Sequence, residues 1–243
     1  MRRAVHGEWT KLRTSPGTLW LLLGAVAVTV GVGAAAAAAV TCATAACGAD
    51  LTRLSLTGTQ LGQAVIAILA VLSIGTEYST GMHRTTLTAV PGRTTLVAAK
   101  ATVLTGVVLP AAAVAVAGSL LCGRLLLPHH AFLWRPAVGS VLYLELIALL
   151  SLGLAAAVRN SAAAIGLALG LFYVWPMVAR MVPDAIWERH LQQAGPTTAG
   201  TAVQATINLT TLPIAPWTGL GVLTLWATGA TLLGWLVLVA RDA

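Results

Sequence analysis

Residues 19–40 read LWLLLGAVAVTVGVGAAAAAAV, a run of 22 residues without a single charge. A helix needs roughly 20 consecutive apolar residues to cross the hydrocarbon of a bilayer. The other spanning solution, a closed barrel, alternates polar and apolar residues along each strand. This run is apolar on every side, so it reads as a membrane-spanning helix. Arg2 and Arg3 precede it as they would a signal peptide. The run is longer than the roughly 7–15 residues of a signal core, and it follows a polar segment with Glu8, Lys11 and Arg13, so it reads as a retained first span.

The same signature recurs along the chain and predicts spans at about 19–40, 56–76, 97–121, 138–158, 161–182 and 216–240. The whole sequence agrees: it is 58% hydrophobic and 9% charged, too little charge to cover a soluble domain of 243 residues. The expected architecture is all-α and integral to the membrane, one transmembrane domain over residues 1–243 with no nucleotide-binding domain. No Walker A sequence occurs, and neither Lys11 nor Lys100 follows a glycine, so the chain lacks a phosphate cradle of that kind.

The net charge of +7 fits basic residues flanking spans on the cytoplasmic side and not nucleic-acid binding. With the N-terminus inside, the inner segments hold nine basic residues: Arg2, Arg3, Lys11, Arg13, Arg84, Arg93, Lys100, Arg159 and Arg241. The outer segments hold five: Arg53, Arg124, Arg135, Arg180 and Arg189. Both termini are therefore expected in the cytoplasm, and an even number of spans, which puts them on one side, agrees with that.

Several segments carry more detail. In residues 1–18, Val5, Trp9 and Leu12 share one helical face, with Glu8, Lys11 and Arg13 elsewhere and a break expected at Ser15-Pro16-Gly17. Such a basic amphipathic helix lies in the membrane interface or docks a partner. Span two opens on Thr57, Gly58, Thr59, Gln60 and Gln63, and polar residues at that depth belong inside a bundle or along a path. Glu145 in span four reads either as a polar or proton site in the pathway or as a carboxyl neutralised by a neighbouring helix.

Other features have plainer readings. Gly166 and Gly170 form a small-residue step suited to close helix packing. Between spans five and six, Ile186, Trp187, His190 and Leu191 have the spacing of a short interfacial helix. Cys42 and Cys47 fit either a disulfide or two inert thiols, and His129-His130 reads as a solvated pair and not a metal site. No nucleophile–base constellation stands out.

After span two, residues 77–100 read EYSTGMHRTTLTAVPGRTTLVAAK. Physically this is an elbow: Glu77 is expected to stabilise the start of a short helix, Arg84 follows two turns on, and Pro91-Gly92 turns the chain into span three. A structured elbow contacts a partner protein; a solvated loop is the plainer alternative.

The segment resembles the cytoplasmic signature of ABC-2 type permeases, through Glu77, Tyr78, Gly81, Arg84, Thr85, Thr86, Leu87, Pro91 and Arg93. The opening EWTKLRT, with Glu8, Trp9, Lys11 and Arg13, resembles that family's interfacial helix, and Met82 stands where the family usually has Thr. The resemblance implies a permease subunit in the plasma membrane that pairs with a second permease copy and docks a separate ABC ATPase through a coupling helix. It also implies short helices in the outer leaflet before span six. ATP and magnesium would be held by the partner, and no cofactor is expected in this chain. Alternative functions are a proton-coupled secondary transporter using Glu145, or a membrane-embedded enzyme or regulator.

Overall fold

The computed structural model describes residues 2–40, 50–79, 93–127 and 133–241. Six helices among them are long and apolar enough to cross a membrane: Pro16–Ala39, Leu51–Thr76, Thr94–Leu126, Trp134–Val158, Ser161–Met181 and Pro216–Ala240. The chain is a multi-pass helical membrane protein, as the hydropathy of the sequence requires.

Helix α1 (Arg2–Thr14) precedes α2 (Pro16–Ala39), the first span. The break expected at Ser15-Pro16-Gly17 shrinks to Ser15 alone. Pro16 sits in the first turn of α2, where its missing N–H has no helical partner to lose. Span two combines α3 (Leu51–Ser55), a turn, and α4 (Thr59–Ser79). Span three, α5 (Arg93–Leu126), continues through Pro110, and span four is α6 (Trp134–Val158).

Arg159 then adopts a left-handed backbone (φ 60°), and the Asn160 side chain caps the next helix by accepting from Ala163 N–H at 3.0 Å. That two-residue turn is as short as the sequence implies. Span five joins α7 (Ser161–Leu169), a π-helical turn (Gly170–Val174) and α8 (Trp175–Met181). The connection to span six folds into α9 (Ala185–Ala194), α10 (Pro196–Gly200) and two 3₁₀ turns, Thr201–Gln204 and Leu209–Thr211. The expected short helix around Ile186 and Trp187 is α9. Span six is α11 (Pro216–Arg241).

Spans two and four form the middle of the bundle, 61% buried over their most apolar windows, against 22% for spans one and five and 28% for span six. The core gathers Leu104, Tyr143, Leu144, Ile147, Leu150, Phe172 and Leu223. Glycine sets the closest approaches. A Cβ on Gly58 would lie 1.9 Å from the Thr29 carbonyl oxygen, and one on Gly153 would lie 2.5 Å from the Thr231 nitrogen of α11. Gly166 and Gly170 do not play that part within the chain: a Cβ on either meets nothing within 4 Å. The packing step expected there faces outward because α7 turns Ala164 and Ala168 inward instead.

Candidate functional site

At the N-terminal end of the bundle, α1 presents a different face from the one its apolar spacing predicts. Ala4 and Glu8 are buried, whereas Trp9 is 44% exposed and Arg13 is exposed. Glu8 Oε2 accepts from Lys100 Nζ at 2.7 Å, and Glu8 Oε1 accepts from Lys11 Nζ at 2.9 Å. The Lys100 side chain is 4% exposed, so this ion pair is withdrawn from water. Burying a charge requires such a partner, and the requirement outranks the hydrophobic stripe of a short helix. The pair fastens α1 to α5 two turns beyond Arg93. Beside it lies a cleft of about 420 Å³, bordered by Ser15, Thr18, Leu69, Ser73 and Thr76.

Among the elbow residues, Glu77 and Tyr78 continue the last turn of α4, and Arg93 opens α5. Glu77 thus ends a described helix and does not begin one. Gly81, Arg84, Thr85, Thr86, Leu87 and Pro91 lie outside the described residues, as do Cys42, Cys47, His129 and His130.

The interior is polar where span two is polar. Gln63 is fully buried, and its Oε1 accepts from the Tyr143 hydroxyl of α6. The Tyr173 hydroxyl of the π turn donates to the Gln60 carbonyl. Gln204 Nε2 donates to Thr59 Oγ1 at 2.9 Å and to Ser140 Oγ at 3.2 Å, tying the second 3₁₀ segment's forerunner, Thr201–Gln204, to α4 and α6. Gln60 and Gln63 are therefore brought together with Tyr143, Tyr173 and Gln204. Glu145 stands apart: its Oε1 accepts from Thr105 Oγ1 of α5 at 2.6 Å. No second acid or base hydrogen-bonds to Glu145 among the described residues, so a proton relay finds no support there.

The end opposite α1 is closed by the segment between spans five and six. Asp50 caps α3 by accepting from Arg53 N–H at 3.0 Å. The same carboxylate accepts from Thr206 N–H at 2.5 Å, Thr206 Oγ1 at 2.6 Å and Ile207 N–H at 3.3 Å. Burial pushes this carboxyl's pKa up. The hydrogen bonds from the Thr206 side chain and from the Thr206, Arg53 and Ile207 backbones outweigh burial and hold it below the usual carboxylate value. Arg135 Nη2 donates to the Ala205 carbonyl at 2.5 Å, and the Trp175 and Trp226 indoles donate to Leu191 and Ala194 carbonyls at 3.1 and 2.8 Å.

Lys100, Tyr143, Gln204 and Asp50 escaped sequence reasoning as site residues. Only Lys100 carried a usable signal, an ionisable group set well inside an otherwise apolar run. No group of three or more potential metal ligands occurs among the described residues.

A bundle of six apolar crossings, with a small polar cluster inside an apolar core and a buried ion pair at one end, defines a multi-pass helical membrane protein. Residues 4–177 match the family model described as ABC-2 family transporter protein, and the chain belongs to that family. It is thus a transporter permease of the kind that is generally a non-catalytic membrane subunit and implies an ABC ATPase partner. A search of curated proteins found no match to the chain.

Proposed function

We propose that this chain is the membrane-spanning subunit of an ATP-driven exporter in the plasma membrane. Two permease copies form the pathway, and each docks a separate ATPase through the elbow at 77–93. Both termini face the cytoplasm, in keeping with the excess of basic residues on that side. ATP and magnesium belong to the partner, and this chain holds no cofactor.

The observation that carries the reading is the buried Glu8–Lys100 pair. It makes α1 and the base of α5 one mechanical unit, and α5 is the helix into which the elbow leads. A push on the elbow then moves two helices together. Gln60, Gln63 and Glu145 remain the pathway residues of this reading. Gln63 Nε2 and Glu145 Oε2 are buried polar atoms without a hydrogen-bond partner, groups that a substrate crossing the bundle can meet.

The test is reconstitution of the permease with and without its ATPase. The permease alone hydrolyses no ATP; the complex does. Arg84→Glu reverses a charge on the elbow and is expected to reduce ATPase co-purification and abolish transport at matched permease levels. Turnover by the permease alone, or wild-type transport by Arg84→Glu, defeats the reading.

A further inference from the structure

Spans three and four are joined below and parted above. The Thr105–Glu145 hydrogen bond, 2.6 Å, ties α5 to α6 at mid-depth. One turn beyond it on each helix, at Leu109 and Leu142, a cleft of about 550 Å³ opens and runs to Arg124 at the end opposite α1. That volume falls within the range of ligand-sized clefts, roughly 300–1,000 Å³.

The cleft has an ordered lining. On α5, Leu109, Ala113, Val116, Leu120 and Arg124 follow helical spacing along one stripe, about 22 Å of helix at 1.5 Å per residue. Val116 and Leu120 are buried and form its floor. Small residues, Ala113 and Ala117 on α5 and Ala137 on α6, face it without filling it. Pro110 stands at its lower end, where it cannot donate the hydrogen bond that would hold the helix to the previous turn. Every lining side chain is apolar except Arg124.

Arg124 is exposed, and among the described residues no carboxylate pairs with it. Trp134, 64% exposed, lies one turn above Val138 on the same face of α6 and marks the depth at which tryptophan favours the membrane interface. Guanidinium groups bind phosphate oxygens in forked geometry, and the long apolar stripe below is matched to a hydrocarbon chain reaching toward the midplane.

We propose that this cleft seats one acyl chain of an anionic phospholipid, with the lipid phosphate held by Arg124. The lipid completes the seam between spans three and four on the side the protein leaves open. Charge complementarity selects a phospholipid over an uncharged chain, which would leave the guanidinium without a partner.

The test uses the purified full chain in nanodiscs containing phosphatidylcholine with or without phosphatidylglycerol, both dioleoyl. Lipid retained after extraction is counted by native mass spectrometry. Wild-type protein should retain phosphatidylglycerol over phosphatidylcholine by about fivefold, the scale of one basic contact with an anionic lipid. Arg124→Gln should erase the preference, Arg124→Lys should keep most of it, and Ala113→Phe, which fills the cleft and spares the charge, should lower retention of both lipids. An unchanged preference in Arg124→Gln, or undiminished retention in a folded Ala113→Phe, overturns the proposal. So does thermal stabilisation by inorganic phosphate equal to that by phosphatidylglycerol, which would make Arg124 a site for a free anion.

Discussion

The two ends of the bundle are held by different chemistry. At the N-terminal end, one buried carboxylate, Glu8, binds Lys100 and Lys11 and fastens α1 to α5. At the opposite end, the segment from 185 to 215 is fastened by several separate links: Gln204 to Thr59 and Ser140, Arg135 to Ala205, and Asp50 to Thr206 and Ile207. A buried ion pair is costly to break, because removing one partner takes a counter-charge from the other in a medium that solvates it poorly. A network of separate hydrogen bonds, neutral at Gln204 and charge-assisted at Asp50 and Arg135, opens link by link, each with a modest net worth. The first arrangement suits an element that must transmit force without slipping. The second suits a cap that can part in stages.

The strongest way to break this contrast is Glu8→Ala. It takes from Lys100, whose side chain is 4% exposed, the carboxylate that lies 2.7 Å away, and the expected loss of stability is about 3 kcal/mol. Thermal unfolding in detergent measures it, with Trp9→Ala on the exposed face of the same helix as the reference. The double variant Glu8→Met, Lys100→Met removes both charges and should recover most of the loss. If Glu8→Ala costs no more than Trp9→Ala, the pair does not hold α1.

Gln204→Ala should act more gently and more locally. It removes two hydrogen bonds from buried hydroxyls of α4 and α6, for an expected loss of about 1–3 kcal/mol. Amide exchange should quicken across 197–207 while α1 keeps its protection. Faster exchange at both ends would mean that the two regions open together, and the contrast between them would fail.

The sequence disclosed the crossings because hydrophobic length is a local property, legible in any window long enough to span a bilayer. It also disclosed that Thr59, Gln60 and Gln63 belong inside, since lipid rejects them. What it hid depends on partners distant along the chain. Glu8 looked like the polar face of an interfacial helix because Lys100 stands 92 residues away. Gln204 lay in a loop with nothing local to bury it, and its partner Thr59 is 145 residues distant. Glycine misled for a related reason. Gly166 and Gly170 match a packing motif but meet nothing within the chain, whereas a Cβ on Gly58 or on Gly62, at the same spacing, would lie 1.9 or 2.0 Å from a Thr29 atom. Which face a helix turns inward is decided by its neighbours.

The smallest effect concerns Asp50 and gives the finest test of how the cap opens. Its folded pKa lies below the ordinary carboxylate value of 3.8, so near that value the unfolded chain binds the proton more readily than the folded one. Stability therefore rises with pH across that interval. The contribution is complete above the ordinary value and is lost as pH falls through the lowered, folded one. Only a minor part of the protein's stability is involved, because water reaches this carboxylate and screens it. The readout is consequently local: exchange of the Thr206 and Ile207 amides, which donate to Asp50, followed as pH drops from about 6 to about 3 after correction for intrinsic exchange. Protection should hold through the upper part of that range and fall at the acid end. Asp50→Asn keeps an acceptor oxygen but not the charge, so it should show weaker protection at neutral pH and a flat acid response. The same acid transition in Asp50→Asn would assign the opening to another group and leave the cap held by Gln204, Arg135 and the two indoles.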